Sequence, residues 1–275
     1  MRRPLLALWL AVAAAPLCAC ENEPAKTALG YTENAKRAYD SAMENFNAHQ
    51  WIEAQTAMHE VKRKYSYSKY ARLAELRIAD ADYEQEKYVE AIRGYKDFIH
   101  AHRSDEEDVI YARSKIADAM NAEIPESFLM PASEERDQAS VVDAYKELKS
   151  FIADYPDTPK TAHARELLGQ VVGRLIRHEL YVARFYLGKG NYDAAVARIQ
   201  YALRNYGEGS QGGPAAGDST SLEADALLLL GETYLKMHKW GDARQSFESI
   251  VQRHGRTPVA DQARNYLVHL KELGT

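Results

Sequence analysis

The chain has 275 residues, with 35 Lys and Arg against 40 Asp and Glu for a formal charge of −5, and 46% of its residues are hydrophobic. That length suits one large domain or a string of small repeated units, and two cysteines are too few for a disulfide framework. An acidic chain with no dense Lys/Arg stripe interleaved with aromatics excludes nucleic acid as an expected partner.

The first element is a leader. Met1-Arg2-Arg3 is positively charged, and the apolar run from Leu5 to Ala15 is too short to span a bilayer comfortably as a mature helix. It ends in Leu17-Cys18-Ala19-Cys20, which resembles the bacterial lipobox. That resemblance implies cleavage between Ala19 and Cys20 after a diacylglycerol is attached to the Cys20 sulfur, with residues 1–19 as signal peptide and 20–30 as lipidated tether. Acyl chains then anchor the mature protein, each buried CH₂ contributing about 0.8 kcal/mol. Cys18 leaves with the signal and Cys20 becomes a thioether, so stability must come from packing. Glu21 after the cysteine, by resemblance to the enterobacterial sorting rule, favours the outer membrane. Removing Arg2 and Arg3 takes the formal charge to −7.

From residue 31 to 275 the chain reads as almost entirely helical, with apolar residues three and four apart and Gly or Asn-Tyr breaks between segments. Two stretches break the rule. Asn121 to Ser140, with Pro125 and Pro131, is expected to be a long loop; Gly207 to Ser221, rich in Gly, is expected to be a flexible linker.

A repeat runs through the helices. Ala42 and Ala54 lie 12 residues apart, as do Ala79 and Ala91, Ala183 and Ala195, and Gly231 and Ala243. Small residues at a fixed offset suit a helix hairpin, one on each helix where the backbones approach most closely. Three residues before each second alanine stands an aromatic, Trp51, Tyr88, Tyr192 or Trp240, expected to plug the base of the turn. Four and seven residues after it come Met58 and Val61, Tyr95 and Phe98, Ile199 and Ala202, Phe247 and Ile250, which complete one apolar face. This matches the tetratricopeptide repeat, most clearly in Leu227, Leu230, Gly231, Tyr234, Ala243 and Phe247. Ala144, Leu148, Phe151 and Pro156 mark a third unit. The expected fold is therefore all-α, a solenoid of about five hairpins at roughly 35–67, 72–103, 108–156, 176–207 and 222–257, with a capping helix at 258–273.

No catalytic constellation stands out. There is no G-x-S-x-G or H-E-x-x-H, and Gly188-Lys189-Gly190 lacks the rest of a phosphate-binding loop. His100 and His102, followed by Asp105 to Asp108, have a spacing seen in metal sites, but no third and fourth ligand is implied and a polar helix end explains them. His163, His178 and His254 are expected near helix ends. No enzyme activity, metal or cofactor is expected beyond the covalent lipid on Cys20.

A lipobox followed by five such repeats resembles the BamD family of β-barrel assembly lipoproteins. Lys64-Tyr65-Ser66-Tyr67-Ser68-Lys69-Tyr70-Ala71 is similar to the family's "YPfSpYA" junction, Asp108 to Ala112 to the start of its third repeat, Tyr155-Pro156-Asp157-Thr158 to its later "YPxS/T" turn, and His178 to Tyr206 to its fourth repeat. Departures are Ser66 and Arg103 where Pro is usual, and the Gly-rich insertion after Tyr206. The resemblance implies a non-catalytic scaffold on the periplasmic face of the outer membrane, binding the POTRA region of BamA through its C-terminal repeats, alongside other Bam subunits, and receiving unfolded barrel proteins. Arg198 matches the family's "V-x-R-[IV]" arginine that faces BamA, and is expected to point its guanidinium outward. The substrate surface is expected on the inner face of the N-terminal first helices, at Tyr39, Met43, Phe46, Leu76, Asp80 and Tyr83. Rival readings are another repeat lipoprotein of the envelope, such as a secretin pilotin or a cell-division or Tol-Pal coordinator, and an activator of peptidoglycan enzymes.

Overall fold

A computed structural model describes residues 28–124, 135, 137–207 and 216–272. Among these residues the chain forms eleven α-helices and no strand. Five antiparallel pairs follow one another: α1 (Ala28–Asn47) with α2 (Trp51–Lys64), α3 (Lys69–Glu84) with α4 (Tyr88–Ala101), α5 (Glu106–Glu123) with α6 (Ala139–Asp154), α7 (Pro159–Gly188) with α8 (Tyr192–Tyr206), and α9 (Ala216–Lys236) with α10 (Trp240–Arg253). Helix α11 (Pro258–Glu272) packs on α10 and α9 and covers the last pair. The expected lipid-bearing Cys20 and the expected tether up to residue 27 lie outside the described residues.

The 12-residue spacing has a mechanical cause. In four hairpins the first helix ends at a residue with positive φ: His49 at 58°, Glu86 at 60°, Gly190 at 72° and His238 at 57°. At each, the amide of that residue donates to the carbonyl three residues back and the next amide donates to the carbonyl five residues back, as in His49 N to Phe46 O and Gln50 N to Asn45 O, both 3.0 Å. This is the Schellman closure, which satisfies carbonyls that a helix end otherwise leaves open. The carbonyl of the residue after the left-handed one then opens the second helix, accepting from the amide of Ala54, Ala91, Ala195 or Ala243. A fixed turn thus places one small residue seven positions before it and another five positions after, both buried. His49, Glu86 and His238 hold the left-handed conformation without glycine, which hides the turn from a search for Gly breaks.

Burial follows the repeat. Ala42, Ala54, Ala91, Ala144, Ala183, Ala195 and Ala243 have no exposed surface, and neither do Met58, Tyr95, Leu148, Phe151, Ile199, Phe247 and Ile250. The turn aromatics Trp51, Tyr88, Tyr192 and Trp240 are each the first residue of a second helix and are half-buried. Trp51 and Tyr88 meet Phe46 and Tyr83 edge-on at 5.1 and 5.6 Å.

Three sequence expectations need correction. The stretch expected as a flexible linker ends early, because α9 begins at Ala216 and runs through Ser221; past Pro214 only Gly217 opposes a helix, at a cost of about 1 kcal/mol. The expected loop from Asn121 to Ser140 also loses both ends, to α5 through Glu123 and to α6 from Ala139. His178, expected near a helix end, lies deep inside α7. With 30 residues that helix spans about 45 Å, so helix and not loop fills the long interval before Ala195. It packs on α5, α6, α8 and α9 and joins the third pair to the fifth in one core cluster.

Gly231 tests the close-approach account. A Cβ there would lie 2.5 Å from Cε1 of Phe247, which is itself stacked on Tyr266 at 4.7 Å and cannot swing aside. Gly231→Ala should lower the unfolding free energy by roughly 1–3 kcal/mol through overpacking. Gly241→Ala, where a Cβ meets nothing within 4 Å, should leave stability unchanged or raise it by up to about 1 kcal/mol. Urea unfolding followed by circular dichroism measures both; equal effects would refute the account.

Candidate functional site on the first-helix face

First helices of neighbouring pairs meet along one row of polar and aromatic side chains. Its centre is Asp80 of α3, only 4% exposed although it carries a carboxylate. Tyr95 of α4 donates its hydroxyl to Asp80 Oδ1 at 2.6 Å, and Tyr111 of α5 donates at 2.9 Å. Arg77, one turn earlier on α3, forms an ion pair with the same carboxylate and also donates to the Tyr111 hydroxyl at 3.1 Å and the Tyr39 hydroxyl of α1 at 3.4 Å. Four helices are thereby joined through one acid.

The electrostatics keep every group in its bonding form. Burial works against the Arg77 charge, but Asp80, helped by Tyr111 and Tyr39, outweighs it and holds the guanidinium protonated. Burial, and then the Asp80 charge, push the Tyr95 and Tyr111 phenols above the ordinary tyrosine range, so both remain donors.

Of the six residues expected to line a substrate groove, the structure splits the set. Tyr39, Met43 and Phe46 lie half-buried along α1, Tyr39 against Tyr70 at 5.7 Å. Tyr83 is half-buried, with the Lys115 ammonium 4.5 Å from its ring centroid. Leu76 and Asp80, by contrast, are not surface residues. Leu76 is 2% exposed in the core with Ala79, Tyr95, Phe98 and Ile116, because α4 and α5 close over that stripe of α3. The row continues to α5 and α7, where Ile110, Tyr111, Pro159 and Lys160 line a cleft of about 420 Å³ rimmed by Glu106 and Glu107.

Arg198 on α8 does not point freely outward as expected. Its Nη1 donates to Oε2 of Glu179 on α7 at 3.3 Å, and the Glu179 side chain is 9% exposed against 45% for Arg198. The guanidinium crosses the hairpin and compensates an acid set in the apolar stripe of α7, leaving its outer edge in solvent. His102, expected at a solvated helix end, instead approaches Glu75 at 2.9 Å, and His163 approaches Asp118 at 2.8 Å. Among the described residues no group of three or more His, Cys, Asp or Glu is placed to hold a metal, and no helix is long and apolar enough to cross a membrane.

Comparison with known proteins gives this geometry a context. The profile of the YfiO family, outer membrane lipoproteins, matches residues 32–215, and a tetratricopeptide-repeat profile matches residues 225–257. The chain belongs to the YfiO family of outer membrane lipoproteins. Similar relatives are the outer membrane protein assembly factors BamD of Caulobacter vibrioides, 26% identical over 85% of this chain and 70% of the relative, and of Neisseria meningitidis serogroup A, 22% identical over 87% and 86%. The BamD of Vibrio cholerae is 22% identical over 71% of this chain and 80% of its own. Solved tetratricopeptide-repeat structures similar to it include a protein of Thermus thermophilus, at 14% identity and TM-score 0.36, covering 86% of this chain and 98% of that one. Another is the TPR2AB domain of yeast Sti1, at 12% identity and TM-score 0.39, covering 86% and 97%.

Within this YfiO-family repeat domain, the residues that sequence reading passed over are Arg77, Tyr95 and Tyr111 as partners of Asp80, and Glu179 as the partner of Arg198. A signal for them existed: Asp80 and Glu179 are acids on stripes otherwise made of Leu, Ile and Ala, and a buried acid requires a cation and donors. Asp80→Ala should cost roughly 3–5 kcal/mol, since it strands Arg77 and two buried hydroxyls. Tyr39→Phe removes only the longest of these bonds and should cost about 1 kcal/mol or less. Comparable losses for the two variants in urea titrations would show that Asp80 is not the centre of the row.

Proposed function

We propose that this protein is an assembly factor for outer-membrane β-barrel proteins, a non-catalytic scaffold anchored by lipid on Cys20 at the periplasmic face of the outer membrane. It binds the POTRA region of BamA, works with other Bam subunits and receives unfolded barrel chains along its N-terminal first-helix face. The observation that carries this reading is the likeness to BamD proteins over more than four-fifths of the chain, 85% for Caulobacter and 87% for Neisseria, which takes in the repeats and not one local motif. The half-buried aromatics Tyr39, Phe46 and Tyr83, with Met43 and the cleft beside Tyr111, offer apolar contact of the kind that an extended barrel strand can use. Tagged full-length protein should retain BamA from solubilised outer membranes, and mass spectrometry should find a diacylglyceryl group on Cys20. Absence of BamA from the retained material would overturn the assembly role; an unmodified Cys20 would overturn the anchor.

Arg198 is assigned to the BamA contact through the outer edge of its guanidinium, whose planar fork suits a carboxylate on the partner. Its internal bond to Glu179 complicates the usual charge reversal, because Arg198→Glu would set two carboxylates against each other inside the hairpin. Arg198→Gln and Glu179→Gln break the same internal pair, yet only the first removes the fork. Calorimetric titration with the BamA periplasmic region should show affinity falling at least tenfold for Arg198→Gln and less than threefold for Glu179→Gln. Equal losses would make Arg198 a purely structural residue.

A further inference from the structure

We propose that the end of the first hairpin, formed by Lys62, Arg63, Lys64, Tyr67 and Lys69, is a second membrane contact that rests on anionic phospholipid headgroups beside the N-terminal tether. Helix α2 finishes in three consecutive cations, and Lys69 opens α3 after a four-residue connection, so four positive side chains lie within eight residues, all exposed. Tyr67 at the tip of the connection is 96% exposed, more than any other large hydrophobic side chain among the described residues.

The cations are not spent alike. Lys62 reaches Glu75 at 3.1 Å and Arg63 reaches Glu60 at 2.7 Å. Lys64 and Lys69 make no ion pair among the described residues: Lys64 lies by the Tyr65 ring at 5.7 Å and within electrostatic reach of Glu60, which Arg63 already engages, and Lys69 lies by the Tyr70 ring at 5.3 Å. Tyr67 also lines, with Lys62, Ser66, Lys69, Arg72 and Glu75, a cleft of about 360 Å³. The Ser66 hydroxyl and the Lys69 ammonium suit a phosphodiester, while a phenol on the tip suits the boundary between headgroups and acyl chains, where tyrosine concentrates.

Position selects the bilayer as occupant. Tyr31, in the first turn of α1, meets Tyr65 edge-on at 5.4 Å, so the chain enters the fold at this cluster. Cys20 stands eight residues before Ala28, and eight extended residues span at most about 29 Å. An anchored Cys20 therefore keeps Ala28 within that distance of the membrane, and the cluster close to it through the Tyr31–Tyr65 contact. One lipid attachment joined to a basic patch is a stable combination where either alone is weak. The charge of −7 from Cys20 onward opposes an anionic surface, but at physiological salt charges interact over only about 8 Å, so the local patch decides.

The inference uses the anchored reading only to place the tether, and its test is independent of acylation. The polypeptide from residue 20 onward, made without lipid as Cys20→Ser, keeps every described helix. It should sediment with vesicles containing phosphatidylglycerol and phosphatidylethanolamine, not with phosphatidylcholine alone, and should be released by high salt. Lys64→Ala with Lys69→Ala should weaken binding on the order of 30-fold while the helical circular dichroism stays unchanged. In the cysteine-free background, Tyr67→Cys carrying an environment-sensitive dye should shift its emission to the blue on phosphatidylglycerol vesicles. No binding at low salt, undiminished binding by the double lysine variant, or an unshifted dye would each overturn the contact.

Discussion

Two helix backbones can touch only where neither carries more than a methyl group at the crossing, and the architecture of this solenoid depends on that constraint. Ala42 and Ala54, Ala79 and Ala91, Ala183 and Ala195, and Gly231 and Ala243 hold these places, and each is fully or almost fully buried; at closest approach Gly231 faces the Phe247 ring and Ala79 faces Gly94. The Schellman turn makes the pairing obligatory, since a left-handed residue at a fixed place counts out the same number of residues to either side. Larger side chains one and two turns away, such as Met58, Tyr95, Ile199 and Phe247, then fill the space that the close crossing opens. A fault at one crossing would therefore be felt first in the packing of one pair, as expected of a structure built from nearest neighbours.

Onto this apolar frame are added, among the described residues, three buried acids, each on a first helix and each answered by an arginine. Asp80 has Arg77, Glu179 has Arg198, and Glu223 has Arg253 at 2.5 Å. Desolvating such a pair recovers little net stability compared with an apolar replacement, so stability alone does not account for them. What they add is direction. An Ala and Leu interface tolerates sliding by a turn, whereas an acid that must meet one guanidinium and two hydroxyls fixes both translation and rotation of the helices that bear them. The Asp80 row applies this across α1, α3, α4 and α5, while the long α7 does the same work further on by packing against four other helices.

The parts of this design that repeat were legible in the sequence, and the parts that occur once were not. Small residues at a 12-residue offset, followed by the apolar face at four and seven, identify the hairpins because the same geometry recurs four times and coincidence does not. Individual polar placements lack that redundancy. Leu76 and Asp80 share a face with Tyr39-type positions by helical periodicity, and only the stacking of α4 and α5 over α3 decides that they are interior. Arg198 looks like a surface residue from its register on α8; its partner, 19 residues earlier, becomes visible only when α7 is known to run unbroken to Gly188. Turns escaped for a related reason, since His49, Glu86 and His238 occupy a conformation for which composition points to glycine.

For a scaffold, the division between spent and unspent side chains decides where partners can be met. Residues of the Asp80 row satisfy one another, so a ligand drawing on Arg77 or Tyr111 would have to replace bonds already made in the free protein, and the gain would be small. Surfaces that bind at little cost are those whose polar groups are still hydrated or only loosely engaged: the outer edge of Arg198, the half-buried aromatics of α1 and the basic end of the first hairpin. A frame held rigid by crossings and acid pairs presents these at fixed separations, which lowers the ordering entropy that a flexible scaffold would lose on each encounter. Rigidity inside and unspent groups at the ends and edges are thus two consequences of one arrangement, in which the polar chemistry most deeply buried serves alignment and the chemistry left outside serves contact.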